Sequence, residues 1–284
     1  MNNSNYIFKV CRVHNIEDLK MVANNGANMI GIHAVYIDTN SYLSSEEKYF
    51  PLKRNLEIND NLPLSFFEVD SIRNMQDSIP NNIEQVILFQ RPLDIKSMEN
   101  CCNIYKMPIS NMYIQLHHRT SREYIDNIKE KLCKKIIAVV GLFQEDFEEY
   151  FWYLHKSLNC ETDYILIDLS VHQSDLSTYK NNSDKLMKIK EICKVIENNK
   201  VPIILAEDTT VKKMQYYLKE IKQHNIIIKG IDMQNAVEIS KKEQRYILIN
   251  NNEKDYQAKI RKSNEKLKEW KEFFEKDSKS TFHK

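Results

Sequence analysis

The chain has 284 residues, 42% hydrophobic and 29% charged, with a formal net charge of +1. That length suits one large domain, and the apolar share supplies a sizeable core, which excludes wholesale disorder. The balanced charge offers no field for nucleic acid, and no run reaches the ~20 apolar residues of a membrane-spanning helix, so neither partner is expected.

Residues 1–5 are polar and show no signal peptide, so a cytoplasmic location is expected. The six cysteines lack CxxC spacing and read as reduced thiols, not a disulfide frame or zinc knuckle. Only four glycines occur, where average usage would give roughly 20.

In chain order, short apolar runs alternate with amphipathic stretches. A strand is predicted over 7–13, then a helix over 16–25 with Gly26 as its stop, then a strand over 29–36. Residues 37–82 hold three prolines and a polar patch, with a helix predicted near 71–78. Strands then fall at 85–90, 111–117, 135–141, 163–170, 201–206 and 226–233. Helices fall between them at 94–102, 121–132, 145–158, 184–198 and 211–224. β-Branched strands separated by helices imply βαβ units and a buried parallel sheet. About eight units favour a single-domain α/β fold, the closed (β/α)8 TIM barrel, with an insertion after the second strand and an extra C-terminal helix. The barrel is assigned to residues 6–250 and a charged helical tail to 251–284, with Ile260, Leu267, Trp270 and Phe274 as a stripe that docks on the barrel.

Several short motifs fall in order along this frame. They are Lys9-Val10-Cys11-Arg12 on the first strand, Gly26-Ala27-Asn28 after the first helix, and Ile30-Gly31-Ile32 on the second strand. Gln115-Leu116-His117 lies on the fourth strand, Leu166-Ile167-Asp168 on the sixth, Leu205-Ala206-Glu207-Asp208 on the seventh, and Gly230-Ile231-Asp232 followed by Met233 to Glu238 on the eighth. The set resembles phosphoribosylanthranilate isomerase, the barrel enzyme of tryptophan synthesis, from Lys9 to Glu238. The resemblance implies an isomerase that converts an aminoaldose to an aminoketose without cofactor or metal, as a monomer or homodimer. It assigns Cys11 as the general base and Asp168 as the general acid; Gln115, His117 and Asp232, with Arg12, Glu207 and Asp208 where the chain departs from the family, are expected around the small-molecule sugar-amine substrate.

The chemistry asks for two groups whose pKa values move in opposite directions. Cys11 needs a nearby cation to ionise, and Lys9, on the same side of the strand, and Arg12 are placed to supply it. Asp168 has to keep its proton, which burial would favour. Gln115 and His117 can equally be a hydrogen-bonded pair that stabilises the strand end.

The pattern breaks at the phosphate grip. The loops after strands seven and eight carry no glycine, and Glu207 and Asp208 stand where the family has a glycine pair. A carboxylate ~5 Å from a phosphate oxygen costs roughly 3 kcal/mol per charge pair at an effective dielectric of 20. Arg12 replaces the family's glycine and is expected to narrow the mouth. An altered, unphosphorylated substrate is therefore expected. Two rival readings remain. One is a metal-dependent barrel using His33, His117, Glu207 and Asp208, and the other is a non-catalytic binding or assembly module.

Overall fold

The computed structural model describes residues 6–33, 66–89, 92–132, 135–169, 182–207, 209–224, 226–239 and 262–281. Eight parallel strands close into a barrel in sequential order. They are β1 (Ile7–Cys11), β2 (Met29–His33), β3 (Glu84–Phe89), β4 (Tyr113–Leu116), β5 (Lys135–Gly141), β6 (Tyr164–Asp168), β7 (Ile203–Ala206) and β8 (Ile228–Met233). The helices that follow them in turn are α1 (Ile16–Asn24), α2 (Phe66–Gln76), α3 (Ile95–Ile104), α4 (Arg122–Lys131), α5 (Phe147–Ser157), α6 (Asn182–Val195), α7 (Val211–Ile221) and α8 (Asn264–Thr281). The expected barrel is present. The insertion predicted after β2 lies outside the described residues, and the helix predicted near 71–78 begins earlier, at Phe66.

Alternation along each strand separates two cores. Outward residues such as Phe8, Val10, Ile30, Ile114 and Ile165 pack against the helices. Inward residues Ile7, Met29, Val86, Tyr113, Ile137, Leu166 and Ile204 fill the lumen as a separate cluster. At the N-terminal end that cluster rests on a polar floor. There Lys135 Nζ pairs with Glu84 Oε1 at 3.0 Å and lies 4.9 Å from the Tyr113 ring centroid. The lumen is therefore packed, and the chemistry is confined to the opposite end.

The β8–β1 contact closes the barrel through a glycine. A Cβ added at Gly230 would stand 2.1 Å from the Ile7 carbonyl oxygen and 2.4 Å from its Cβ. Only the bare backbone lets β8 approach β1 in the register Ile7–Gly230, Lys9–Asp232.

The C-terminal helix occupies the eighth place in the ring, between α7 and α1. Leu267, Trp270, Phe273 and Phe274 are buried in the main core. Phe274 stacks on Tyr6 at 4.5 Å and lies 4.8 Å from Phe8 of β1. Lys262 leads into the helix. Its ammonium pairs with Glu238 at 2.9 Å, and its backbone N–H donates to Asp18 Oδ1 of α1 at 2.7 Å. Of the predicted stripe, Ile260 lies outside the described residues, and Phe273 joins the three that dock.

Gly230→Ala forces β1 and β8 apart and is expected to destabilise the fold by about 3 kcal/mol or more. Urea unfolding would read this as a lower midpoint, and an unchanged midpoint would contradict the close approach.

Candidate active site at the C-terminal mouth

The inward positions at the C-terminal strand ends include Lys9 and Cys11 on β1, Gly31 and His33 on β2, Leu88 on β3, Gln115 on β4, Val139 and Gly141 on β5, Asp168 on β6, Ala206 on β7 and Asp232 on β8. The pairing register runs from Asp168 to Ala206, to Asp232 and to Lys9 around the wall. At about 4.8 Å per strand, the Asp168 and Asp232 backbones stand roughly 10 Å apart along it. The small Ala206 side chain separates them.

The centre of the site is a buried group of three. Lys9 Nζ donates to Asp232 Oδ2 at 2.6 Å and to Cys11 Sγ at 2.7 Å, and the Cys11 thiol faces Asp232 Oδ2 at 3.5 Å. Lys9 is fully buried, Cys11 is 4% exposed and Asp232 is 6% exposed. Gly31 makes the space, because a Cβ there would meet Cys11 Sγ at 2.6 Å and Lys9 Nζ at 3.3 Å.

The charges in this group are mutually defined. Burial pulls the Lys9 ammonium down, but Asp232 and Cys11 outweigh it and its pKa ends raised. Burial, and next the Asp232 carboxylate, push the Cys11 thiol up to about 12, against the opposing pull of Lys9. The sequence reading expected the cations around Cys11 to ionise it. The structure corrects this: Lys9 is in place, but Asp232 holds its charge, and the ligand-free thiol keeps its proton.

The other predicted residues divide. Asp168 ends β6 and is half-buried, not enclosed between apolar strands as its expected role as a held proton would favour. Gln115 is fully buried, and its amide nitrogen donates to Nε2 of the exposed His117 at 2.6 Å, so the strand-end pair exists. Gln115 Oε1 has no hydrogen-bond partner among the described residues. Arg12 is 9% exposed, and its charge acts on His33 at the end of β2. Its φ of 61° is left-handed, which explains why glycine suits this position in the resembled family. Glu207 is not a bare carboxylate, because it pairs with Lys185 of α6 at 2.5 Å. Asp208 lies outside the described residues.

Two histidines complete the β1–β2 side. His14 and His33 stand edge to face at 6.3 Å. His33 Nε2 is shut off from solvent and has no partner among the described residues. Burial, then Arg12, His14, His117 and Lys9, hold the His33 imidazole well below its ordinary pKa. The sequence reading placed His33 only in a metal set and did not single out His14, although His14 sits three residues beyond Cys11. Among the described residues, no three His, Cys, Asp or Glu side chains converge to hold a metal ion. No helix among them is long and apolar enough to cross a membrane.

The chain is thus a (β/α)8 barrel with a buried lysine–carboxylate–thiol group at its C-terminal mouth. Its fold is that of solved phosphoribosyl anthranilate isomerases. The enzyme from Thermococcus kodakaraensis superposes with a TM-score of 0.57 at 14% identity, covering 94% of this chain and 98% of that one. A phosphoribosyl anthranilate isomerase in complex with reduced 1-(o-carboxyphenylamino)-1-deoxyribulose 5-phosphate gives 0.56 at 13%, covering 95% and 99%. The Thermotoga maritima enzyme, as monomers generated from a dimer, gives 0.54 at 14%, covering 96% and 98%. No protein-family model and no curated protein matches the chain.

The raised Cys11 pKa sets a pH dependence. Between the ordinary thiol value of 9.0 and about 12, the unfolded chain has released this proton and the folded chain has not. The folded state then binds more protons, so stability falls as pH rises through that window, by up to about 1.4 kcal/mol per pH unit for such a group. The melting temperature is expected to drop above pH 9, and less steeply in Cys11→Ala. Equal slopes in the two proteins would show that Cys11 ionises freely in the fold.

Proposed function

We propose that this barrel is an aldose–ketose isomerase of the Amadori type, acting on an N-substituted aminoaldose. The observation that carries the reading is the Lys9–Cys11–Asp232 group, set at the end of the barrel where such folds place their chemistry. The likeness of fold to phosphoribosyl anthranilate isomerases supports it.

In this reading, Asp168 protonates the ring oxygen of the sugar. The C1–O bond breaks, and the nitrogen lone pair forms a C1–N iminium. The Cys11 thiolate removes the proton from C2, and those electrons form the C1–C2 double bond of a neutral enaminol. Protonation at C1 and loss of the O2 proton give the ketose, so the product is an isomer of the substrate.

A thiol held at about 12 must first lose its proton, and the group supplies a route. Asp232 can accept the proton while Lys9 turns its hydrogen bonds from carboxylate to thiolate. Both arrangements contain one cation and one anion, so no net charge is buried in the exchange. The cationic iminium favours the thiolate as it forms.

Cys11→Ala and Asp168→Asn are each expected to lower turnover of N-ribosyl anthranilate, phosphorylated or not, by at least about 100-fold, with melting temperatures close to wild type. Product is followed by chromatographic separation of the aminoketose. Wild-type rates in Cys11→Ala would remove the thiol from the chemistry. In Asp232→Asn, loss of the carboxylate frees Lys9 to pair with sulfur, so thiolate ultraviolet absorbance should appear at lower pH while turnover falls. Thiolate absorbance appearing at the wild-type pH would contradict the shared-proton group.

A further inference from the structure

In the proposed reaction, the O2 proton still needs an acceptor once C1 of the enaminol is protonated. His33 stands beside the place that oxygen would take. It is the inward residue two positions beyond Gly31 on β2, and Gly31 is the register partner of Cys11. Cys11 Sγ rests against the inward face of Gly31, 2.6 Å from where a Cβ would be. The next inward position lies roughly 7 Å further along the strand, toward the mouth. A sugar C2 held about 3.5 Å from Sγ carries its hydroxyl oxygen one bond away, between the thiol and the imidazole. Asp168 ends β6, four strands from β2 and so across the barrel, where it serves the ring oxygen. The His33 ring is part-exposed, but its Nε2 is closed to solvent and makes no hydrogen bond among the described residues. Such a nitrogen in a mouth is poised for a ligand. Burial, then Arg12, His14, His117 and Lys9, keep the ring neutral at neutral pH, so it retains a lone pair for a proton. Neighbouring groups are already engaged: Lys9 with Asp232, and Gln115 with His117.

We propose that His33 is a second catalytic base of this mouth, taking the O2 proton as the ketose forms. The Cys11 thiol returns to C1 the proton it took from C2. The C1–C2 double-bond electrons form the new C1–H bond, and the thiolate is restored. An O2 lone pair then completes the bond to C2, which leaves a protonated carbonyl. The imidazole takes that proton, and the O–H electrons stay on oxygen as the neutral ketose. The imidazolium passes a proton to water at its open side, and Asp168 regains one from water. A protonated carbonyl is a far stronger acid than an imidazolium, so the transfer runs downhill even to a weakly basic ring. Weak basicity also speeds release of the proton to water. The inference rests on the isomerase reading of the same mouth and adds a residue to it.

The test compares wild type, His33→Gln and His33→Ala in turnover of N-ribosyl anthranilate. Glutamine keeps a polar group of similar reach but takes up no proton, and alanine leaves a gap at the mouth. Both variants are expected to lose about 100-fold in kcat, with KM and melting temperature close to wild type. Imidazole added to the buffer should raise kcat of His33→Ala at least about tenfold and leave His33→Gln unchanged, because the glutamine fills the gap. A His33→Gln protein at the wild-type rate overturns the proposal, since any polar side chain would then serve. Failure of imidazole to raise the His33→Ala rate overturns it as well. Either result, with an active wild type, leaves the isomerase reading standing. A wild type that turns over no aminoaldose defeats that reading, and the role of His33 falls with it.

Discussion

The contact of the Lys9 ammonium with Asp232 couples the fold of this protein to its mouth. A buried ammonium is tolerated only against a partner, and Asp232 reaches it because β8 lies in register beside β1. That register depends on Gly230, whose missing side chain lets β8 pass against Ile7. The ammonium then has donors left for sulfur, and Gly31 leaves room for both atoms. Strand closure, charge pairing and the protonation of Cys11 are thus one structural fact. Removing the Lys9 ammonium would leave the Asp232 carboxylate buried without its cation, at a cost of about 3–5 kcal/mol, whereas removing the carboxylate leaves the ammonium the Cys11 sulfur as a partner.

The barrel was legible in the sequence because its signal is repeated. Each β-branched run alternates between a helix-facing and a lumen-facing core, and each is followed by an amphipathic helix, so an error at one boundary does not disturb the order. The eighth helix was read as an addition because its stripe is sparse. It is short of apolar residues because part of its attachment is polar: Lys262 to Glu238 and Asp18, and Asn264 to Asn25. Those partners lie 24 to 244 positions away in the chain, and no local pattern announces them.

The site was legible in its positions and less so in its electrostatics. Lys9 and Cys11 are two residues apart on one strand, so their contact follows from strand period alone. Burial does most to reverse the expected effect on Cys11, and the carboxylate that adds to it comes from β8, 221 residues later. Glu207 shows the same limit. As a residue at a strand end it reads as a repulsive charge, and only the packing of α6 against the β7 end supplies the lysine that neutralises it. Arg12 is the opposite case. The resembled family has glycine there, which signals a left-handed backbone, and Arg12 takes that conformation here with a φ of 61°.

Charge is distributed unevenly around the mouth, and this bears on how a substrate would be oriented. Arg12, His14, His33 and His117 gather near β1, β2 and β4, where burial, and next Arg12, hold the His33 imidazole well below its ordinary pKa. Behind the β7 end, Lys185 of α6 is paired with Glu207. An anionic group would gain Coulomb energy beside the Arg12 guanidinium.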